Sequence, residues 1–321
     1  MKHPSKIVIL LVAMFTISQL IGLYVINVYD TNFGRNAQTQ IQTPDISFVN
    51  EAAPNQPEVK DPMDILKVVI SVLIALVIAI GIFFLLSKIK LKIGLKIWFT
   101  VVVFLTLSVS FSLILYSFIG SAIVTLFTKR FLLADVIAIP LAVIVTFFKT
   151  VKRYFVVHNA SELFIYPGLA VIFMPLLNLW VVLILLVLIS VYDTIAVWKT
   201  GHMQKMAKYT IEQVKIFPGL LIPSFSKRDK ARLKKAKKSK KKIKVNVMLA
   251  GLGGGDIAFS LLFNGVIFLT FGLIAGLIGV ACTTLALSLL FVFGNPKKMY
   301  PAMPFITLGC LLALGIILIL L

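Results

Sequence analysis

Two aspartates stand inside hydrophobic segments of the chain, Asp193 directly after Tyr192 and Asp256 directly after Gly253-Gly254-Gly255. A carboxylate in hydrocarbon costs about 3 kcal/mol by insertion scales, so each marks a functional position before it marks a packing one. At ~1.5 Å of rise per residue, Asp193 lies ~9 Å from a helix end near Lys199, and Asp256 ~13 Å into a helix entering near Val247. The two depths agree, and sequential antiparallel helices commonly pack together, so the carboxyls are expected to face each other. Such a pair cannot easily ionise twice; it holds one shared proton near neutral pH and is an acid and a base together. That state activates water against a polarised carbonyl without a covalent intermediate. The glycines before Asp256 leave its backbone uncovered, so that another chain can approach and the helix can loosen. Taken singly, the aspartate is as well explained by a bond to a neighbouring helix, and the glycines by close helix packing. Taken together they favour the chemical reading.

The elements that position this pair are membrane helices. Of 321 residues, 60% are apolar and 14% charged, and apolar runs recur along the whole length. An all-α polytopic membrane protein follows, with function residing in the helix bundle. Nine spans are expected, at about 7–28, 65–87, 97–118, 131–149, 161–177, 178–198, 247–270, 272–294 and 301–321. They divide the chain into a six-span part carrying Asp193 (1–199), a basic loop (200–246), and a three-span part carrying Asp256 (247–321). Lys88, Lys90, Lys92 and Lys96, then Lys149, Lys152 and Arg153, then the basic loop, then Lys297 and Lys298 follow the even-numbered spans. That bias puts the N-terminus in the cytoplasm and the C-terminus outside. The acidic loop at 29–64 belongs on the exterior. Lys129 and Arg130 resist this scheme, and call for a longer span or a short irregular helix there. Lys2 and Lys6 before Ile7–Val28 resemble a signal peptide only loosely, because the apolar run is too long and no Ala-x-Ala site follows.

The formal charge is +20, but nearly half of the basic residues fall between Lys205 and Lys244. Charge placed this way reports sidedness and a contact with anionic lipid, and nucleic acid is not expected as a partner. Residues His202–Ile216 have the spacing of an amphipathic helix at the interface, broken by Phe217-Pro218-Gly219, and Ile243–Val247 alternates like a strand. The apolar patch Ile216–Phe225 reads as a membrane contact in preference to a self-cleavage site. Cys282 and Cys310 read as small core residues without a disulfide. His3, His158 and His202 are scattered and no His-Glu-x-x-His or Gly-x-Ser-x-Gly occurs, so metallo- and serine-protease readings lack support. No metal or organic cofactor is expected. Asp135 and Glu162 read as interfacial structural residues near span ends, and Asn159-Ala160-Ser161 as an unmodified glycosylation sequon on the cytoplasmic side. Gly272, Gly276 and Gly279 fit helix packing either within one chain or between copies of a homo-oligomer.

Pro301-Ala302-Met303-Pro304 opens the last span on the side where the aspartates lie. Prolines at a helix start can be a simple cap. With Tyr192-Asp193 and Gly253-x-Gly255-Asp256, however, they resemble the ordered signature of the presenilin and signal peptide peptidase family, on the sixth, seventh and ninth spans. The resemblance implies an intramembrane aspartyl protease that hydrolyses peptide bonds within transmembrane helices of membrane proteins or signal peptides. It implies that Asp193 and Asp256 are the catalytic pair, that Tyr192 flanks the first, and that Gly253, Gly254 and Gly255 support the second. Pro301, Ala302, Met303 and Pro304 would position substrate. Gly254 occupies a place often held by Leu in presenilins, and Met303 replaces the usual Leu; neither change removes a chemical group. The family's substrate unwinds and adds a strand near the site, and the short tails resemble a prokaryotic, archaeal-type homologue. A proton- or cation-coupled transporter is the rival, since paired intramembrane carboxylates also build ion sites, but the glycine-broken helix occurs once and no repeated half is visible. A prepilin-type peptidase leaves Tyr192-Asp193 and Pro301-Ala302-Met303 unexplained.

Overall fold

Long apolar stretches leave the backbone no polar partner but itself, so they close their hydrogen bonds internally as helices. The computed structural model describes residues 5–33, 92–126, 129–152, 154–200, 218–224, 248–294 and 300–320, with single helical positions between 63 and 81. Helices α1 (Ser5–Asn32), α2 (Lys92–Ile119), α3 (Leu133–Phe147), α4 (Phe155–Phe173) and α5 (Leu179–Ile195) come first, and α6 (Gly254–Phe271), α7 (Leu273–Phe293) and α8 (Met303–Leu320) follow. A π-turn at Phe148–Lys152 extends α3, a 3-10 turn at Met174–Leu176 extends α4, and a π-turn at Ala196–Thr200 extends α5. Among the described residues, eight helices are long and apolar enough to cross a membrane. The span expected at 65–87 and the amphipathic segment at 202–216 lie mainly or wholly outside the described residues, as does the strand expected at 243–247.

Lys129 and Arg130 belong to neither a longer span nor an irregular helix. Gly120, at φ +71°, ends α2, and the chain turns into a hairpin of β1 (Ile123–Leu126) and β2 (Lys129–Leu132), with Ile123 opposite Leu132 and Leu126 opposite Lys129. Branched Ile123, Val124 and Thr125 favour extended backbone over helix, which is why the charges sit on a strand.

Helix α6 is the hub. It packs against α1, α4, α5, α7 and α8, and 72% of its span is buried where the other seven bury half or less. Ile257, Leu261, Phe263 and Ile267 fill the centre with Phe15 of α1. Gln19 fixes α1 to α6 by donating to the Ile257 carbonyl at 3.0 Å and Ser260 Oγ at 2.8 Å, while Asn264 donates back to Gln19 Oε1 at 3.0 Å. Gly272, at φ +89°, allows the tight reversal into α7. Gly276 and Gly279 are buried against Phe268 and Asn264 of α6, so both serve packing within one chain. Cys310 is buried and Cys282 half-buried, both free.

Asp135 sits in the first turn of α3, whereas Glu162 lies well inside α4 and not near its end; each is 2% exposed and paired inside the bundle, so neither is an interfacial surface group. Asp135 accepts a hydrogen bond from Ser112, which ties α3 to α2. Glu162 receives Lys149, a residue expected in a loop.

The largest departure from expectation precedes α6. The helix does not enter at Val247; residues Met248–Gly253 form strand β4, antiparallel to β3 (Gly219–Ser224), with Gly219 opposite Gly253 and Ser224 opposite Met248. Three glycines between 251 and 254 weaken any helix there, and β3 supplies the alternative partner for the backbone. The described part of the apolar patch at 216–225, residues 218–224, is therefore mainly a paired strand, with Leu220 and Ile222 buried in the protein.

Candidate active site

Helix α5 starts on an Asn178 cap, whose side chain accepts the Val181 N–H at 2.9 Å, and it reaches Asp193 in its last turn. Asp193 is 7% exposed whereas Tyr192 beside it is 52% exposed, so the aspartate turns into the bundle and the tyrosine out of it. The N-terminus of α8 meets this carboxylate. Met303 N–H donates to Asp193 Oδ2 at 3.2 Å, and the Ala302 N–H also bonds the carboxylate. Free amides at a helix start are donors in need of an acceptor, and a carboxylate suits them in charge as well as geometry. The Pro301-Ala302-Met303 segment thus acts on Asp193 through its backbone, with Pro301 and Met303 buried and Ala302 and Pro304 half-buried.

Asp256 is the third residue of α6, and its helix begins only two residues earlier, at Gly254. The ~13 Å of helix expected before it is absent, replaced by strand. Its carboxylate reaches back to the N–H of Gly253, the cap residue, in the manner of a capping box. A methyl group on Gly253 would stand 3.1 Å from Asp256 Oδ2, and one on Gly254 would stand 2.7 Å from the Tyr166 hydroxyl. Both glycines are therefore close-approach positions. Gly255 is exposed and meets only Phe259 at ordinary contact distance. Asp193 and Asp256 lie close enough to interact electrostatically, across the α5–α6 contact.

The sheet beside Asp256 is held from the far side by α4. Asn159 donates to the Leu221 carbonyl at 2.7 Å and accepts the Leu221 N–H at 3.0 Å, and His158 Nε2 lies 2.9 Å from the Gly219 carbonyl. The Asn159 amide is engaged on both atoms, which leaves the sequon asparagine unavailable to a glycan. Gly254 N–H bonds the Pro218 carbonyl at 3.1 Å, so the ladder runs into the first residue of α6. Sequence reading named Glu162 only as an interfacial structural residue and did not name its partner Tyr166, which packs on Gly254; their i,i+4 placement in an apolar span was the available signal.

Two carboxyls, one held by a helix N-terminus and the other by its own cap, can share a proton and work on a water between them. Residues 45–320 match the family described as signal-peptide peptidase, presenilin aspartyl protease. The chain belongs to that family. As a member of the presenilin and signal-peptide peptidase family it is an intramembrane aspartyl protease and a multi-pass membrane protein. Two solved structures of a presenilin family intramembrane aspartate protease share its fold. One aligns at TM-score 0.62 and 17% identity, covering 98% of this chain and 99% of that one. The other aligns at TM-score 0.56 and 18% identity, covering 97% of each. No curated protein sequence matches the chain. The transporter reading has no support from these likenesses.

Proposed function

We propose that Asp193 and Asp256 are the catalytic pair of this protease. The observation that carries the assignment is their convergence: the carboxyls interact across the α5–α6 contact, and the α8 amides of Ala302 and Met303 hold one of them. In the reaction the ionised carboxylate takes a proton from water as the oxygen attacks the scissile carbonyl, and the protonated partner gives its proton to the carbonyl oxygen. The resulting gem-diol collapses as a proton passes to the departing amide nitrogen, and the C–N bond breaks. Both products leave with the pair again holding one proton. An analogue carrying a hydroxyl in place of the scissile carbonyl tests this: it binds the wild type, and each of Asp193→Asn and Asp256→Asn weakens it at least about tenfold. Undiminished binding to both variants would contradict the assignment.

The substrates are transmembrane helices of membrane proteins or signal peptides, presented as an added strand. On β3 the N–H and C=O of Leu221 point to Asn159, so Leu220, Ile222 and Ser224 face β4. Alternation then turns Leu249 and Gly251 of β4 toward the opposite edge. Gly253 lies in the same phase, and its N–H reaches Asp256, so a peptide paired along that edge runs to the carboxylate. Helix α4 occupies the other edge of the sheet. Leu249→Pro removes an outward N–H without touching the β3 ladder; cleavage falls at least roughly tenfold while a hydroxyl analogue too short to reach β4 still binds.

The chain is read as nine spans with the N-terminal end cytoplasmic and the C-terminal end outside, the span beyond the eight described helices falling at about 65–87. The basic stretch from Lys205 to Lys244 contacts anionic lipid and not nucleic acid.

A further inference from the structure

Behind the candidate pair lies a buried charged chain that water activation does not use. Lys149, on the π-turn after α3, donates to Glu162 Oε1 at 2.5 Å and to Ser161 Oγ at 3.1 Å. The other carboxylate oxygen of Glu162 accepts the Tyr166 hydroxyl. Lys149 and Glu162 side chains are each 2% exposed, and Tyr166 is 4% exposed. Tyr166 ends this chain against the site: its hydroxyl abuts Gly254, and the phenol is within electrostatic reach of Asp256. His158 stands at the other end, Nε2 3.9 Å from Glu162 Oε1. Replacing a buried ion pair by apolar residues of the same shape is often neutral or stabilising, so folding alone does not account for one inside a membrane span.

We propose that Tyr166, oriented by the Glu162–Lys149 pair, is a positioning residue for Asp256. This rests on the reading of Asp256 as a member of the catalytic pair. The residues leading into Asp256 are glycines, with no side chain to pack, so the first turn of α6 is positioned by its neighbours and not by side chains of its own. The Pro218 carbonyl holds the Gly254 amide, and the phenol is the wall behind it. A ring freed from Glu162 no longer defines where that turn stops. Lys149 has a separate part: without it Glu162 is an uncompensated buried charge, and the rearrangement that relieves such a charge also displaces the carboxylate that holds the Tyr166 hydroxyl.

The test uses the full chain in liposomes with a reporter bearing one transmembrane helix, reading kcat and KM per folded molecule, with the folded fraction taken from thermal unfolding in detergent. Tyr166→Phe lowers kcat roughly ten- to a hundredfold and leaves KM within about twofold. Lys149→Met lowers kcat similarly, and adding Glu162→Gln to it restores kcat to within about fivefold of wild type, because glutamine is neutral and still accepts the Tyr166 hydroxyl. A role confined to stability would change the folded fraction and leave kcat per folded molecule unmoved. The proposal is overturned if Tyr166→Phe keeps the wild-type kcat, or if the double variant is no faster than Lys149→Met alone. Asp256→Asn is run beside them. If that variant cleaves normally, the catalytic assignment has failed; if it is inactive while Tyr166→Phe is normal, only the positioning role has failed.

Discussion

Asp193 is held by main-chain amides, and this sets what side-chain changes at α8 can do. Met303 is 3% exposed and supplies a backbone donor at 3.2 Å, so its side chain matters for packing and its N–H for the carboxylate. Met303→Leu, a swap of similar volume, leaves the cleavage rate within about twofold. Met303→Ala keeps the donor but opens a cavity, and lowers stability by about 2–5 kcal/mol in a denaturation series. Gly254→Ala differs, because the added methyl meets both the Tyr166 hydroxyl at 2.7 Å and the Pro218 carbonyl at 3.3 Å. The first turn of α6 must shift, and the rate of the folded variant falls roughly tenfold or more. Asp193, Asp256 and the Pro301-Ala302-Met303 segment were legible in the sequence because polar or helix-starting residues in apolar spans carry a cost that needs a reason. Tyr192 was legible only as a neighbour, and it faces away from the pair. Lys149 and Glu162 were not legible as partners, since a charge near a span end reads as a surface charge until α3 and α4 are packed.

The strand β4 shows what hydrophobic patterning cannot distinguish. Met248-Leu249-Ala250-Gly251-Leu252-Gly253 is apolar and continuous with α6, and a short apolar run reads equally as strand or helix. The decision comes from β3, which lies a long loop away in sequence, and from Asn159, which holds β3 in place from α4. Asn159→Ala strips the Leu221 N–H and C=O of their partner and costs about 1–3 kcal/mol. Faster hydrogen exchange at the Leu221 amide, with the α6 core amides unchanged, is the expected signature. The hairpin at Lys129 and Arg130 was missed for a related reason: Ile123, Val124 and Thr125 fall in the short gap left between the spans at 97–118 and 131–149, and a four-residue strand is too short for its alternation to be read.

The whole molecule is a bundle built around α6, whose neighbours on five sides include the helices that carry the opposing aspartate and its amide donors. The helix bundle was readable from composition, because unbroken apolar length dictates it. Sidedness is a further claim, carried by the distribution of lysines. In sealed vesicles a cysteine at Gln40→Cys reacts with an impermeant thiol reagent from outside, and one at Ser239→Cys reacts only from the cytoplasmic side; the reverse pattern would invert the topology. The most direct measurement is cleavage of a single-helix reporter in liposomes by the wild type, Asp193→Asn and Asp256→Asn. The account predicts that each substitution lowers the rate of the folded protein by roughly 10²–10⁴-fold. Wild-type cleavage by either variant would contradict it.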